Sequence, residues 1–286
     1  MKRVFSAQHE AVRLIGRFVR QEGGEGLRFD WPASTIAFQL RGPTTHLALR
    51  MDLGSHLFDV CIDRERLPTD RSATDLADRR TTILEGQPGM KSHVIARDLG
   101  EGVHHVRLVK RTEANPLLGG DGSAGQPVLF ESVELGDGGM LTQPSQPPSD
   151  RLIEFIGDSD TAALGNEARR GDSILDPSKQ NAALSYAAVV ADALGALHHN
   201  ISYSAIGAVH NAPMSVLGLD GNMSSFYARS LATDSSSRFD SSQGTAPHIK
   251  VLSHAIIKLG GNDYYIVRKH KDEQRFVDEY VQKFAQ

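Results

Sequence analysis

Three short stretches of this chain hold residue types suited to acyl transfer. Gly157-Asp158-Ser159 directly follows the apolar run Leu152-Ile153-Glu154-Phe155-Ile156. A serine hydroxyl at a sharp strand-to-helix turn is presented to solvent above a sheet, and a helix N-terminus beneath it favours negative charge. Gly157 permits the tight turn. The plain alternative is a helix cap made by Asp158 or Ser159, and Gly171-Asp172-Ser173 repeats the tripeptide a few residues later. The second stretch is Gly260-Gly261-Asn262-Asp263. An asparagine amide donates to an oxyanion, an interaction worth roughly 3–4 kcal/mol in acyl transfer, although the same residues also make a good turn. The third, Ser204-Ala205-Ile206-Gly207, either adds a backbone N–H to that hole or only closes a turn.

The elements that must position these residues change character near residue 145. Before it, short runs such as Leu27–Trp31, Thr35–Leu40, His46–Arg50, Leu57–Ile62, His105–Lys110 and Val128–Val133 roughly alternate apolar and polar residues. Alternation with period two places one set of side chains on one sheet face. Turn signals such as Arg41-Gly42-Pro43 and Gly100-Glu101-Gly102 separate the runs, which predicts an antiparallel β-sandwich. Gln143–Asp150 is a polar, proline-rich connector with nothing to bury. After it, the strand before Ser159, an alanine-rich helix over Asn181–Gly195, strands within Asn200–Ser204 and Ile249–Leu259, and an amphipathic helix over Phe276–Phe284 follow in succession. That order predicts a parallel α/β sheet, whose sites form in loops at the carboxyl ends of the strands. All three stretches lie in such loops.

Composition narrows the function. The chain has 286 residues, with 31 Lys+Arg against 35 Asp+Glu for a net charge of −4, unlike the basic excess of a phosphate-backbone binder. Its single cysteine, Cys61, excludes an internal disulfide framework and an all-cysteine metal site. No apolar run approaches the roughly 20 residues of a membrane span. The N-terminus turns polar at Ser6–Glu10, without a signal-peptide core. The expectation is a cytoplasmic protein as written, secreted if the N-terminus is incomplete, with no nucleic-acid or membrane partner. Oligomeric state is not legible.

Phe155-Ile156-Gly157-Asp158-Ser159, then Tyr203–Asn211, then Leu259-Gly260-Gly261-Asn262-Asp263 resemble the first three blocks of SGNH (GDSL-type) hydrolases. With Gly16-Arg17, Arg28–Pro32, Val109-Lys110-Arg111-Thr112-Glu113, Phe226–Leu231 and Asp278–Val281, the chain from about residue 12 onward resembles carbohydrate esterase family 2, deacetylases of plant polysaccharides. The resemblance implies a jelly-roll β-sandwich over 1–142, a linker over 143–150, and an α/β three-layer SGNH hydrolase domain with a parallel sheet over 151–286. It implies a serine esterase acting on an acetylated carbohydrate through an acyl-serine intermediate, without metal or organic cofactor. Ser159 would be the nucleophile and part of the oxyanion hole with its own N–H, and Asn262 a side-chain donor. The family's second block reads Ser-Gly-x-Gly. Gly207 is therefore a candidate backbone donor, and Ala205 stands in place of the first glycine.

The family carries its general base in a later Asp-x-x-His block. The only histidine here after Asn262 is His270, in the polar stretch Arg268–Asp272, expected to be a solvated loop. Without a base, a serine hydroxyl is a poor nucleophile at neutral pH. Three expectations follow: a C-terminally truncated esterase, a pseudoenzyme that binds acetylated glycans, or a recruited histidine among His210, His248 and His254. Absence of a last strand would also leave a hydrophobic strand at the sheet edge.

Other signals are discounted. Gly120–Gly125 fits G-x-G-x-x-G without a strand-to-helix context. In His104-His105 and His198-His199, neighbouring side chains on a strand point apart, against a shared metal. Asn200-Ile201-Ser202 and Asn222-Met223-Ser224 fit the glycosylation sequon without a secretory context. Trp31 is expected in the sandwich core, and Arg238-Phe239-Asp240 occupies a stretch where the family often has a tryptophan near the substrate.

Overall fold

The structure is a computed structural model that describes residues 2–63, 81–114, 125–143, 149, 151–213, 219–239, 252–270 and 273–284. The connector is described only in part, and His248 and most of Gly120–Gly125 lie outside these residues.

Twelve strands form two six-stranded antiparallel sheets. One contains β1 (Arg3–Ser6), β3 (Val19–Arg20), β4 (Leu27–Phe29), β6 (Thr44–Asp52), β9 (Lys91–Leu99) and β11 (Val128–Leu135). The other contains β2 (Arg13–Ile15), β5 (Thr35–Arg41), β7 (Leu57–Ile62), β8 (Thr81–Glu85), β10 (Val103–Lys110) and β12 (Met140–Thr142). The inward-facing residues of the two sheets, including Phe29, Ile36, Leu40, Leu49, Phe58, Leu108 and Phe130, close into one buried core. Alternation makes β5, β6, β7, β10 and β11 legible. Strand β9 is not, because it pairs along one side of β6 and stays largely exposed, so Lys91, His93, Arg97 and Asp98 leave no apolar period to read.

The second sheet system is parallel, in the order β14 (Leu197–Ser202), β13 (Leu152–Gly157), β15 (Leu252–Lys258). Strand β13, at its centre, is buried along its whole length, as a near-continuous apolar run must be. The predicted helix over 181–195 is broken in two. Asn181 caps a 3₁₀ turn over Ala182–Leu184, and Ser185 caps a separate helix, α2 (Tyr186–Ala193), by accepting from the Ala188 N–H. The remaining helices are α1 (Ser159–Ala162), α3 (Met223–Tyr227), α4 (Gly261–His270) and α5 (Glu273–Phe284). Helix α4 corrects the expected loop around His270, because after β15 the chain turns at Gly260, with φ +113°, and Gly261-Asn262-Asp263 begins a helix rather than a turn. Strand β15 has one neighbour among the described residues, with Leu252, Ile256 and Ile257 exposed, the hydrophobic edge expected from the sequence.

The sandwich and the parallel sheet meet through buried polar groups. Arg17, fully buried, donates to the Tyr227 carbonyl, to the Arg229 carbonyl at 2.8 Å, and to Glu154 on β13 at 3.5 Å. Its guanidinium lies over Phe239 and Tyr227, 3.9 and 4.8 Å from the ring centroids. Asp30 accepts from the Ala232 and Thr233 N–H groups. Trp31 donates to the Ser230 carbonyl at 3.0 Å and packs with Ile156, Ile201, Tyr203 and Phe226. The tryptophan thus leaves the sandwich core for the domain junction, because its indole N–H needs the carbonyl partner found there.

Glu154 sets an acid limit on this junction. Burial raises its pKa, but the hydrogen bond from His199, the Arg17 charge and the Tyr227 hydroxyl outweigh burial and bring it from 4.5 to about 2. Between those values the unfolded chain binds a proton that the folded chain does not, so stability is full above pH 4.5 and falls as pH drops towards 2. Urea unfolding across this window is expected to show that slope, and Glu154→Gln is expected to flatten it.

Candidate active site

Strands β13, β14 and β15 end in register: Gly157 lies opposite Ser202 on one side and Lys258 on the other. The three loops that follow are therefore neighbours. A Cβ on Gly157 would fall 2.0 Å from Thr161 Oγ1 and 2.9 Å from the Lys258 carbonyl, so only glycine allows the chain to turn there. Asp158, buried, caps α1 by accepting from the Asp160 N–H at 3.1 Å, and Ser159 is the first helical residue, half-buried. The cap belongs to Asp158, which leaves the Ser159 hydroxyl without a bond to any described residue. Helix α1 is a single turn, so the expected support for an anion shrinks from a helix macrodipole to the Ser159 N–H, which has no described acceptor. By contrast, Gly171-Asp172-Ser173 lies on an exposed turn with no strand before it.

Lys258, the last residue of β15, reaches over this turn to Asp158 at 3.0 Å and also bonds Asp160. Burial lowers the ammonium pKa, but hydrogen bonds to Asp160 and Asp158 overcome that and raise it, so Lys258 stays protonated and is unfit as a base. Sequence reading missed this residue. The signal was present in a lysine ending an otherwise apolar strand.

The second and third loops clamp each other. Asn262 donates through Nδ2 to the Ile206 carbonyl at 2.8 Å, which uses one of its two amide hydrogens. Asp263, fully buried, accepts from the N–H groups of Ala208, Val209 and His210 at 2.9, 2.7 and 2.8 Å. Gly207 is required because a Cβ would meet the His210 carbonyl at 1.9 Å and Asp263 Oδ2 at 2.7 Å. Its N–H is directed to Asn211 Oδ1 at 3.0 Å and so is not available as an oxyanion donor. Within Ser204–Gly207, Ala205 is the residue whose N–H has no described acceptor. It is buried with φ +63°, in the region that favours glycine. An alanine held there costs roughly 1–2 kcal/mol, partly offset by the greater freedom glycine has when unfolded. Ala205→Gly is accordingly expected to stabilise the protein by up to about 1 kcal/mol in denaturant titration.

No described histidine hydrogen-bonds Ser159. His210 contacts Glu279 of α5 at 2.9 Å, which fastens that helix to the second loop, and His254 is exposed on β15. His104 pairs with Asp63 and His105 with Gln39, while His199 pairs with Glu154, so the adjacent histidines do point apart. Asn200, in the first sequon, is buried and bonded to the Thr161 carbonyl. A cavity of about 100 Å³ lined by Thr35, Arg107 and His198 lies at the opposite, amino end of β14, away from Ser159.

The family model for the carbohydrate esterase 2 N-terminal domain matches residues 14–144. The sandwich belongs to carbohydrate esterase family 2. A curated relative, the cellulase/esterase CelE of Acetivibrio thermocellus, is 31% identical over 186 residues, 65% of this chain and 20% of that protein. The chain thus spans about a fifth of that relative's length. Among solved structures, a family two carbohydrate esterase from Cellvibrio japonicus matches with TM-score 0.72 at 17% identity, covering 99% of this chain and 76% of its own. One from Clostridium thermocellum in complex with cellohexaose matches with TM-score 0.67 at 24% identity, covering 95% and 74%. An acetyl xylan esterase, Est2A, from Butyrivibrio proteoclasticus matches with TM-score 0.67 at 18% identity, covering 92% and 65%. The family 2 sandwich and the parallel α/β sheet that follows it are a fold shared with these esterases.

Proposed function

We propose that this chain is a serine esterase of the SGNH type that removes O-acetyl groups from a carbohydrate, with the sandwich up to residue 142 and the α/β domain from residue 151 acting together. The observation that supports the reading is that Ser159, Ala205 and Asn262 lie in the loops after three parallel strands that end in register, with the Ser159 and Ala205 N–H groups lacking an acceptor among the described residues. Ser159 Oγ attacks the acetyl carbon as its proton leaves to a base. The charge that develops on the carbonyl oxygen is held by these donors, aimed at the place where it forms. Collapse expels the sugar hydroxyl and leaves acetyl-Ser159, which water then hydrolyses. The relatives support the substrate class, since one is named an acetyl xylan esterase and another was seen with cellohexaose.

A second reading, a glycan-binding protein without turnover, draws on one observation: no described residue stands within hydrogen-bonding distance of the Ser159 hydroxyl to take its proton. Acetate release from acetylated xylan, followed by proton NMR, separates the two. The esterase reading expects acetate to accumulate in proportion to protein. Binding of the polymer with no acetate released would favour the second.

A further inference from the structure

We propose that Glu113, a residue of the sandwich domain, is a positioning residue for the oxyanion donor of the Ser159 site, a role that rests on Ser159 being the nucleophile. Glu113 is 1% exposed and directs both carboxylate oxygens across the domain junction at one residue. Oε2 accepts from the Ser204 N–H and Oε1 from the Ser204 hydroxyl, each at 2.8 Å. Ser204 immediately precedes Ala205, so the clamp holds, by its own N–H and side chain, the residue whose carbonyl forms the peptide of the Ala205 N–H. Ala205 holds a φ of +63°, and an alanine stays there only where its surroundings over-determine it.

The same residue also reaches the nucleophile's turn. The Glu113 N–H donates to Gln180 Oε1 at 3.1 Å, and Gln180 Nε2 donates to the carbonyl of Ala162, the last residue of α1, at 3.0 Å. The Glu113 carbonyl accepts from the fully buried Lys110 ammonium at 3.0 Å, which anchors the segment to the sandwich. One sandwich residue is therefore bonded to the loop of the oxyanion donor and, through one side chain, to the helix of Ser159. Other polar contacts at the junction, such as Trp31 with the Ser230 carbonyl, go elsewhere in the second domain.

The test uses phenylboronic acid, whose boron accepts Ser159 Oγ with release of a proton to give a tetrahedral anion with an oxygen in the oxyanion position. Binding is read by ¹¹B NMR and titration on the full chain, so it needs no turnover. The parent is expected to bind it and Ser159→Ala to lose it. Glu113→Ala is expected to bind about tenfold or more weakly, while Glu113→Gln, whose amide both accepts from the Ser204 N–H and donates to its hydroxyl, stays within about threefold of the parent. Thr233→Val, which removes the hydroxyl's junction hydrogen bond to Asp30 and lies outside the cluster that contains Ala205, should bind like the parent even where its melting temperature falls. If Glu113→Ala does not fold, Glu113→Asp, one methylene short of Ser204, carries the test at the same threshold. Binding by the folded alanine or aspartate variant within about threefold of the parent would overturn the role of Glu113. Equal binding by parent and Ser159→Ala would instead overturn the nucleophile reading, and the positioning role with it.

Discussion

Ser159→Ala is expected to lower acetyl release by about 10³-fold or more while leaving the unfolding transition where it was. The two halves of this expectation come from the same geometry. The cap of α1 is made by the Asp158 side chain, and the Ser159 hydroxyl bonds no described residue, so the fold does not depend on it. Removing a hydroxyl of this kind changes stability by no more than about 0.5 kcal/mol. The Ser159 and Ala205 N–H groups remain in the variant and continue to polarise a bound ester, which leaves a small residual rate. A rate equal to that of the parent would remove Ser159 as the nucleophile. A large fall in melting temperature would instead mean that the hydroxyl holds the turn.

Asp263→Ala is expected to be the most destabilising single change at the site, on the order of 3 kcal/mol or more. The carboxylate is fully buried and takes the N–H groups of three consecutive residues, Ala208, Val209 and His210. Hydrogen bonds to a charged group are worth about 1.5–3 kcal/mol each, and a buried donor left without a partner costs a further penalty. Relaxation of the loop towards solvent recovers part of this, so the sum is not additive. The second loop also carries Ala205, so catalysis should fall together with stability. Asp263→Asn keeps one acceptor oxygen but turns an amide towards an N–H, and should lie between alanine and the parent. Urea denaturation of the three proteins checks the order. Equal midpoints would show that the loop is held by its own turn and not by Asp263.

Much of this architecture is legible in the residues. The strands of the sandwich core announce themselves by alternation, and Gly157-Asp158-Ser159 stands out from Gly171-Asp172-Ser173 because a buried apolar strand leads into only the first. What escapes is whatever depends on a partner remote in sequence. Gly207 is a candidate oxyanion donor by the Ser-Gly-x-Gly pattern, with Ala205 the alternative, but the Asn211 side chain takes the Gly207 N–H, and no spacing rule reveals that. Ala205, unremarkable as a letter, becomes notable only through its positive φ. Trp31 carries no mark that it faces the second domain, since an indole N–H finds its carbonyl only in the folded chain. The same holds for Glu113, recognisable as part of a family-like stretch but not as the carboxylate that holds Ser204. Helix α4 was hidden because Gly-Gly-Asn-Asp is good turn chemistry, whereas here it closes a strand and starts a helix in succession.

The most direct test of Ser159 as an esterase nucleophile is to trap the intermediate. The full chain is mixed briefly with 4-nitrophenyl acetate, quenched in acid and mapped by peptide mass spectrometry, with Ser159→Ala treated alongside. An acetyl group on the peptide that contains Ser159, missing from the variant, is the predicted result. A folded parent that remains unacetylated there while releasing acetate, or one acetylated equally with and without the serine hydroxyl, would contradict it.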